Sequence, residues 1–426
     1  MHQHLRTLLA TAAAAALAGG LLTTTAGSAA ALVPGAHGDF NGDGYRDFAV
    51  AAAGARVGER SGAGQVVIVY GGVGAPSSAR TINISQNSPG VPGTAESGDG
   101  FGDAIVVEDF NGDGYGDLAV GAPGEDVGTD TDGGTVAILW GSETGLTSGR
   151  TINDPAPSSH DKFGRVLSAL ADSDGKPDLA IGSTTPTIDV YRGGFSDSGA
   201  TGGSYRFVPP SWVTTAPVSM TAGNIGGGDV IADLVAIGSP DQDGGVVRVY
   251  SGADDAPSAT PAYTITQDTP GIPGTSEAGD RFGASLAVSR AGYGYQNLAV
   301  GVPGESLGGA TGTGAVTFLY GGPEGLIGAR SMAGTDPQFF SQNSPGVAGS
   351  DESGDRFGGA VHIADTDNDR NEDLVVGAPG ENSGDGTVAY LRSDGGIAPS
   401  GTPGITPAGT GVSTTGSPNF GRMLAG

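Results

Sequence analysis

Cysteine is absent from all 426 residues. Disulfide scaffolds, thiolate metal sites, cysteine nucleophiles and a lipid-anchored cysteine are therefore excluded. Positive charge is scarce: 19 Lys and Arg stand against 46 Asp and Glu, a net charge of −27. That balance repels nucleic acid and anionic membrane surfaces and favours cations, basic partners and solubility. No stretch shows the 3.6-residue apolar period of an amphipathic helix, so coiled coils and bundles drop out. The one long apolar run, residues 8–22 (LLATAAAAALAGGLL), is shorter than the roughly 20 residues of a membrane-spanning helix. Arg6 precedes it, a polar Thr run follows, and small residues end at Ala29-Ala30-Ala31. This is the order of a secretory signal peptide over residues 1–31, cut after Ala29 or Ala31. The expectation is an exported, extracellular protein without a membrane span, and export without disulfides suits a bacterial source.

Glycine and proline are abundant, 81 and 26 residues, about a quarter of the chain. Without a period that content would suggest disorder. Here it recurs in register. Residues 101–125 read FGDAIVVEDFNGDGYGDLAVGAPGE, residues 357–381 read FGGAVHIADTDNDRNEDLVVGAPGE, and residues 282–305 read FGASLAVSRAGYGYQNLAVGVPGE. Copies from Phe163 and Pro217 are more worn, and one from Gly38 (GDFNGDGYRDFAVAAAG) lacks its FG start. Each continues to an alternating β-branched or aromatic run such as QVVIVYGG at 65–72 or AVTFLYGG at 315–322. A long connector, ISQNSPGVPGTAESGDGFG, has two near copies that also end in FG.

A period of roughly 60–70 residues with several short β runs predicts a repeated small sheet. A lone four-stranded sheet with two apolar faces must stack on neighbours, in a line or a ring. The chain ends FGRMLAG, which is the FG strand missing from the first copy. The fold class expected is all-β: one β-propeller domain over 32–426, of four-stranded blades. The C-terminal FG strand pairs into the N-terminal blade to close the ring.

Three copies carry acidic residues at alternate positions of a nine-residue loop between their first two strands. The sets are Asp39, Asn41, Asp43, Tyr45, Asp47; then Asp109, Asn111, Asp113, Tyr115, Asp117; then Asp365, Asp367, Asp369, Asn371, Asp373. Oxygen ligands at positions 1, 3 and 5, a backbone carbonyl at 7 and a closing carboxylate suit Ca²⁺, which takes six to eight oxygens. The closing acid comes at position 9, not at 12, so this is not an EF-hand. About three Ca²⁺ ions are expected. A further loop keeps Asp172, Asp174 and Asp178 but starts with Leu170. In the remaining two, Ile225, Gly227, Asp229, Asp233 and Ser289, Ala291, Tyr293, Asn297 no longer form the set.

FG, then D-x-N/D-x-D-G-x-x-D, then L-A-V-G-A-P resembles the FG-GAP repeat of integrin alpha-subunit propellers and of secreted bacterial integrin-like proteins. The resemblance covers nearly the whole of 32–426. It implies a propeller with Ca²⁺ in those loops and a role in adhesion or ligand binding. Six copies predict six blades, with seven as the alternative because integrin propellers have seven. The repeat is also similar to segments of a phosphatidylinositol-glycan-specific phospholipase D, which leaves a secreted hydrolase as the alternative. No catalytic residue can be carried over. Gly304-Glu305-Ser306-Leu307-Gly308 matches G-x-S-x-G, but Ser306 aligns with Asp126 and Asn382 in sister loops and no helix pattern follows. His37, His160 and His362 are the only histidines beyond residue 31, and none is marked as a base. The reading is a monomeric, non-catalytic module that binds an extracellular protein or polysaccharide.

Overall fold

In a computed structural model the chain forms six small antiparallel sheets. The structure describes residues 38–426 except 75, 158–160, 171–174, 199–200, 212, 214–215, 224–233, 240–243, 251–260, 290–295, 323–325, 327–335, 394–395, 400 and 402. The segment 1–31, expected above to be a signal peptide, lies outside the described residues.

Blade 1 holds β1 (Phe48–Ala52), β2 (Gln65–Val69) and β3 (Thr81–Ile84). Blade 2 runs β4 (Ala104–Glu108), β5 (Asp117–Ala122), β6 (Thr135–Trp140) and β7 (Ser148–Ile152). Blade 3 runs β8 (Val166–Leu170), β9 (Asp178–Gly182), β10 (Ile188–Tyr191) and β11 (Ser204–Phe207). Blade 4 is β12 (Ser219–Gly223), β13 (Leu234–Ser239), β14 (Val246–Tyr250) and β15 (Pro261–Ile265). Blade 5 is β16 (Ser285–Val288), β17 (Leu298–Val302), β18 (Ala315–Leu319) and β19 (Gln338–Phe340). Blade 6 has β20 (Ala360–Ala364), β21 (Asp373–Ala378) and β22 (Thr387–Leu391). The last strand, β23 (Leu424–Ala425), pairs antiparallel with β1 through Ala49–Ala425 and Val50–Leu424. The ring therefore closes with the C-terminal strand, and it has six blades.

Every residue of β1, β5, β17 and β21 is buried. Val, Ile, Leu and Ala on both sides of these strands are covered because each blade stacks between two others. Outer strands such as β3 and β7 are half exposed and far more polar. Innermost strands β23, β4, β8, β12, β16 and β20 contact one another in that order around a narrow channel.

The FG and GAP halves of the repeat meet at the seams. Phe101, Phe163, Phe282, Phe357 and Phe420 are each at most 1 % exposed. Gly164 has φ +88°, and a Cβ on Gly121 of the preceding blade would lie 1.9 Å from its carbonyl oxygen. Only two glycines can approach so closely. The same pairing joins Gly238 to Gly283, Gly301 to Gly358 and Gly377 to Gly421. Blade 6 departs from the expected four strands: its outer place is filled by a single bridge, where Val388 and Ile405 exchange N–H···O bonds of 2.9 and 2.8 Å. Pro399, Pro403 and the glycines around them cannot sustain a ladder there.

Candidate metal centre

The acidic loops join innermost to second strands, so they share one face of the ring, while the loops after β5, β17 and β21 lie on the other. In the first loop the Asp39 carboxylate accepts from the N–H groups of Gly42, Asp43 and Gly44 at 2.7, 3.1 and 2.8 Å. Asn41 Oδ1 accepts from Asp43 N–H, and Asp43 Oδ1 from Tyr45 N–H. The second loop repeats this with Asp109, Asn111, Asp113 and Tyr115 at nearly the same distances. Gly42, Gly44, Gly112 and Gly114 supply the positive φ this tight winding requires. In the third loop Asn368 and Arg370 hold those places at φ 60° and 75°.

The third loop brings its acids closest together. Oxygens of Asp365, Asp367 and Asp373 lie within 4.8 Å of one another. Such a spacing suits a hard divalent cation, which carboxylates can hold jointly at 2.3–2.6 Å in the case of Ca²⁺. Asp39, Asp43 and Asp47, and likewise Asp109, Asp113 and Asp117, do not form a triad this close, although Asp365 and Asp367 accept from the backbone of their own loop just as Asp39 and Asp109 do. Asp369 and Asn371 wind the third loop, Asp369 Oδ1 accepting from Asn371 N–H at 2.8 Å.

The closing acid has a second task, which the spacing alone did not reveal. Asp47, Asp117 and Asp373 are wholly buried. Each accepts from the loop on one side and, on the other, from an N–H just past the third strand: Gly71, Gly141 and Ser393 at 2.8, 2.8 and 3.0 Å. Asp178 does the same to Gly193, and Asn297 to Gly321, in blades that have lost the full acidic set. Position 9 is thus a staple across a sheet, kept with or without ligands. Burial pushes Asp47 up to about 7, Asp117 to about 8 and Asp373 to about 6, and the neighbouring loop carboxylates add to the rise.

Sequence reasoning also missed Arg392, which follows β22. Its guanidinium reaches Asp367 at 3.2 Å and Asp369 at 2.7 Å. Tyr70 and Trp140 occupy the equivalent places beside the first two loops. Tyr320 holds that place in blade 5 and Arg192 in blade 3, so a cation there is not peculiar to the third loop and its contact with the acids was not legible from the repeat. Of the worn loops, Asp172, Asp174, Ile225, Gly227, Asp229, Asp233, Ala291 and Tyr293 fall outside the described residues.

Ser306 is a turn residue. Its Oγ accepts from Gly312 N–H, as Asp126 Oδ1 accepts from Asp132 N–H in the sister loop. The central channel encloses about 110 Å³ and is lined by aliphatic side chains with Ser168, Ser219, Ser285 and His362. Among the described residues its lining has no Asp or Glu side chain.

The family model of the FG-GAP repeat matches residues 35–69, 101–139 and 357–391. Each match contains one of the three full acidic loops. Phosphatidylinositol-glycan-specific phospholipase D of Bos taurus is 27 % identical over 368 residues, 80 % of this chain and 42 % of that protein. The Mus musculus phospholipase D is 37 % identical over 148 residues, 34 % of this chain and 17 % of its own. Integrin alpha-6 of Gallus gallus is 35 % identical over 161 residues, 36 % of this chain and 13 % of its own. The chain spans less than half the length of these curated relatives. Matched repeats and a closed ring of six like blades converge on one identity: the chain is a six-bladed β-propeller carrying FG-GAP repeats.

Proposed function

We propose that this propeller is an extracellular, calcium-stabilised module for adhesion or ligand binding, monomeric and exported by its N-terminal segment. The observation that carries the reading is the set of equivalent acidic loops on one face, with Asp365, Asp367 and Asp373 converging within 4.8 Å. Calcium would be held by Asp39, Asn41, Asp43 and Asp47, by Asp109, Asn111, Asp113 and Asp117, and by Asp365, Asp367, Asp369 and Asp373. Backbone at Tyr45, Tyr115 and Asn371 completes the sets. The ion supplies positive charge to crowded carboxylates. The residues themselves wind the loops and hold the first two strands of each blade in register.

Ligand recognition is assigned to the opposite face. There the long connectors run to the next blade and are pinned to it: Gln86 donates to Glu125, Gln267 to Glu305 and Gln342 to Glu381, each at 2.7 Å. Long loops on a rigid frame are where binding residues gather. The similarity to phospholipase D across 80 % of this chain favours a hydrolase as the second reading. A glycan and protein array run beside esterase and phosphodiesterase substrates separates the two. Array binding without turnover supports the module; turnover that survives repurification supports the hydrolase.

A further inference from the structure

Around the channel mouth on the ligand-facing side, the charge of this acidic chain is inverted. A cavity of about 210 Å³ there is lined by Arg165, Arg281, Arg356 and Arg422, with Asp103 the one carboxylate among the described lining. The whole chain has only 19 Lys and Arg in a net charge of −27, so four guanidiniums in one small cavity form a concentrated exception.

Their placement follows the ring. Arg165 and Arg422 each stand directly after an FG pair, at the position of Asp103 in blade 2. In blades 5 and 6 that position is small, Ala284 and Gly359, and the arginine instead precedes the FG pair as Arg281 and Arg356. Both of these have left-handed backbone, φ 64° and 58°, where blade 2 places Gly100 at φ 66°. Glycine adopts that conformation readily and arginine does not. Lys162 and Asn419 hold the same place in their copies at φ 59° and 51°, so the left-handed turn belongs to the repeat, and in blades 5 and 6 it sets an arginine at the mouth. Asp103 pairs with Arg422 at 2.7 Å. Arg165 and Arg356 make no side-chain hydrogen bond or ion pair among the described residues.

We propose that this mouth binds a compact tetrahedral oxyanion, a phosphate or phosphate ester. Guanidinium forks match such oxygens in pairs, and several converging forks select a multiply charged anion over a carboxylate. The site lies at the centre of the face assigned above to ligand and needs no calcium; two of its arginines, Arg281 and Arg356, are the last residues of long connectors before the FG pair.

Titration calorimetry of the exported chain at low ionic strength tests it, with inorganic phosphate, glycerol 3-phosphate and acetate as probes. Both phosphate probes should bind and acetate should not. Tighter binding of the ester identifies an esterified ligand, and equal binding identifies free phosphate. Arg165→Gln and Arg356→Gln should each weaken binding about fivefold, and Asp103→Asn should tighten it by releasing Arg422. Melting curves verify that each variant folds. Phosphate should also slow phenylglyoxal modification of Arg165 and Arg356 in the unaltered protein, read by peptide mapping. No phosphate heat, equal binding of acetate, or affinities indifferent to these substitutions would overturn the proposal.

Discussion

Asp117 and Asp113 sit four residues apart in one loop, yet substitution should affect them in different ways. Asp117 is fully buried and accepts from Phe110, Asn111 and Gly141 N–H groups. Asp113 is more open and accepts from Tyr115 N–H. Asp117→Ala orphans buried donors and should cost about 3 kcal/mol even in chelator. No buried charge is relieved in exchange, since burial holds this acid at about 8, neutral at pH 7 without a cation. Asp113→Ala should leave the calcium-free melting temperature almost unchanged and remove one bound ion. Paired calorimetry and elemental analysis check both, and equal losses in chelator would refute the division of labour. Arg392 offers a second contrast. Because its guanidinium already sits on Asp367 and Asp369, Arg392→Gln should tighten calcium at the third loop by about five- to tenfold, an opposing charge near the site being worth about 1 kcal/mol. Unchanged affinity in a calcium titration would show that the arginine swings clear.

Deleting residues 420–426 should damage the whole ring. Phe420 is completely buried and its N–H donates to Asp385 of blade 6, while Leu424 and Ala425 pair with β1 of blade 1. Loss of the Phe alone is worth about 3–5 kcal/mol, and an open strand edge on β1 invites aggregation. A truncated protein that stays soluble and melts within a degree or two of the parent would disprove the latch. This closure was legible beforehand because FGRMLAG repeats a motif missing from the first copy. The central strands were legible too, since continuous β-branched runs are what a doubly covered strand requires. Blade 6's outer edge was not: its one bridge at Ile405 depends on tertiary contact within a Gly- and Pro-rich stretch. At the candidate site, positions 1, 3 and 5 were readable from spacing. The staple from position 9 was not, because its partner lies 20 or more residues away at the end of another strand. The Gln86–Glu125 bond was equally hidden, joining residues 39 apart across a seam.

Acidity, burial and calcium combine at the scale of the whole ring into one pH-dependent property. Asp47, Asp117 and Asp373 are raised by burial to about 7, 8 and 6 in the folded chain, against about 3.9 when unfolded. Asp355, buried at a connector, is likewise raised to about 6. A raised acid contributes stability that is complete below its unfolded value and is lost as pH climbs through its folded value. Calcium-free protein should therefore melt at progressively lower temperature from about pH 5 to pH 8. Repulsion within a net charge of −27 acts in the same direction, and salt weakens that surface share while sparing the buried acids. Calcium at the proposed sites should reverse the local preference, since a cation favours the ionised carboxylate and binds better as protons leave. With a dissociation constant near 0.1 mM and about 1 mM free calcium, each of the three proposed sites should add about 1.4 kcal/mol at neutral pH. That stabilisation should shrink towards pH 5, where the buried acids hold their protons. The gap between calcium and chelator melting curves should thus widen from pH 5 to pH 8 at constant salt. Magnesium should reproduce little of it, because it demands a tighter octahedron at shorter distances. Parallel curves, with a gap independent of pH, would mean that the buried closing acids do not meet the cation and that Asp47, Asp117 and Asp373 serve only as staples.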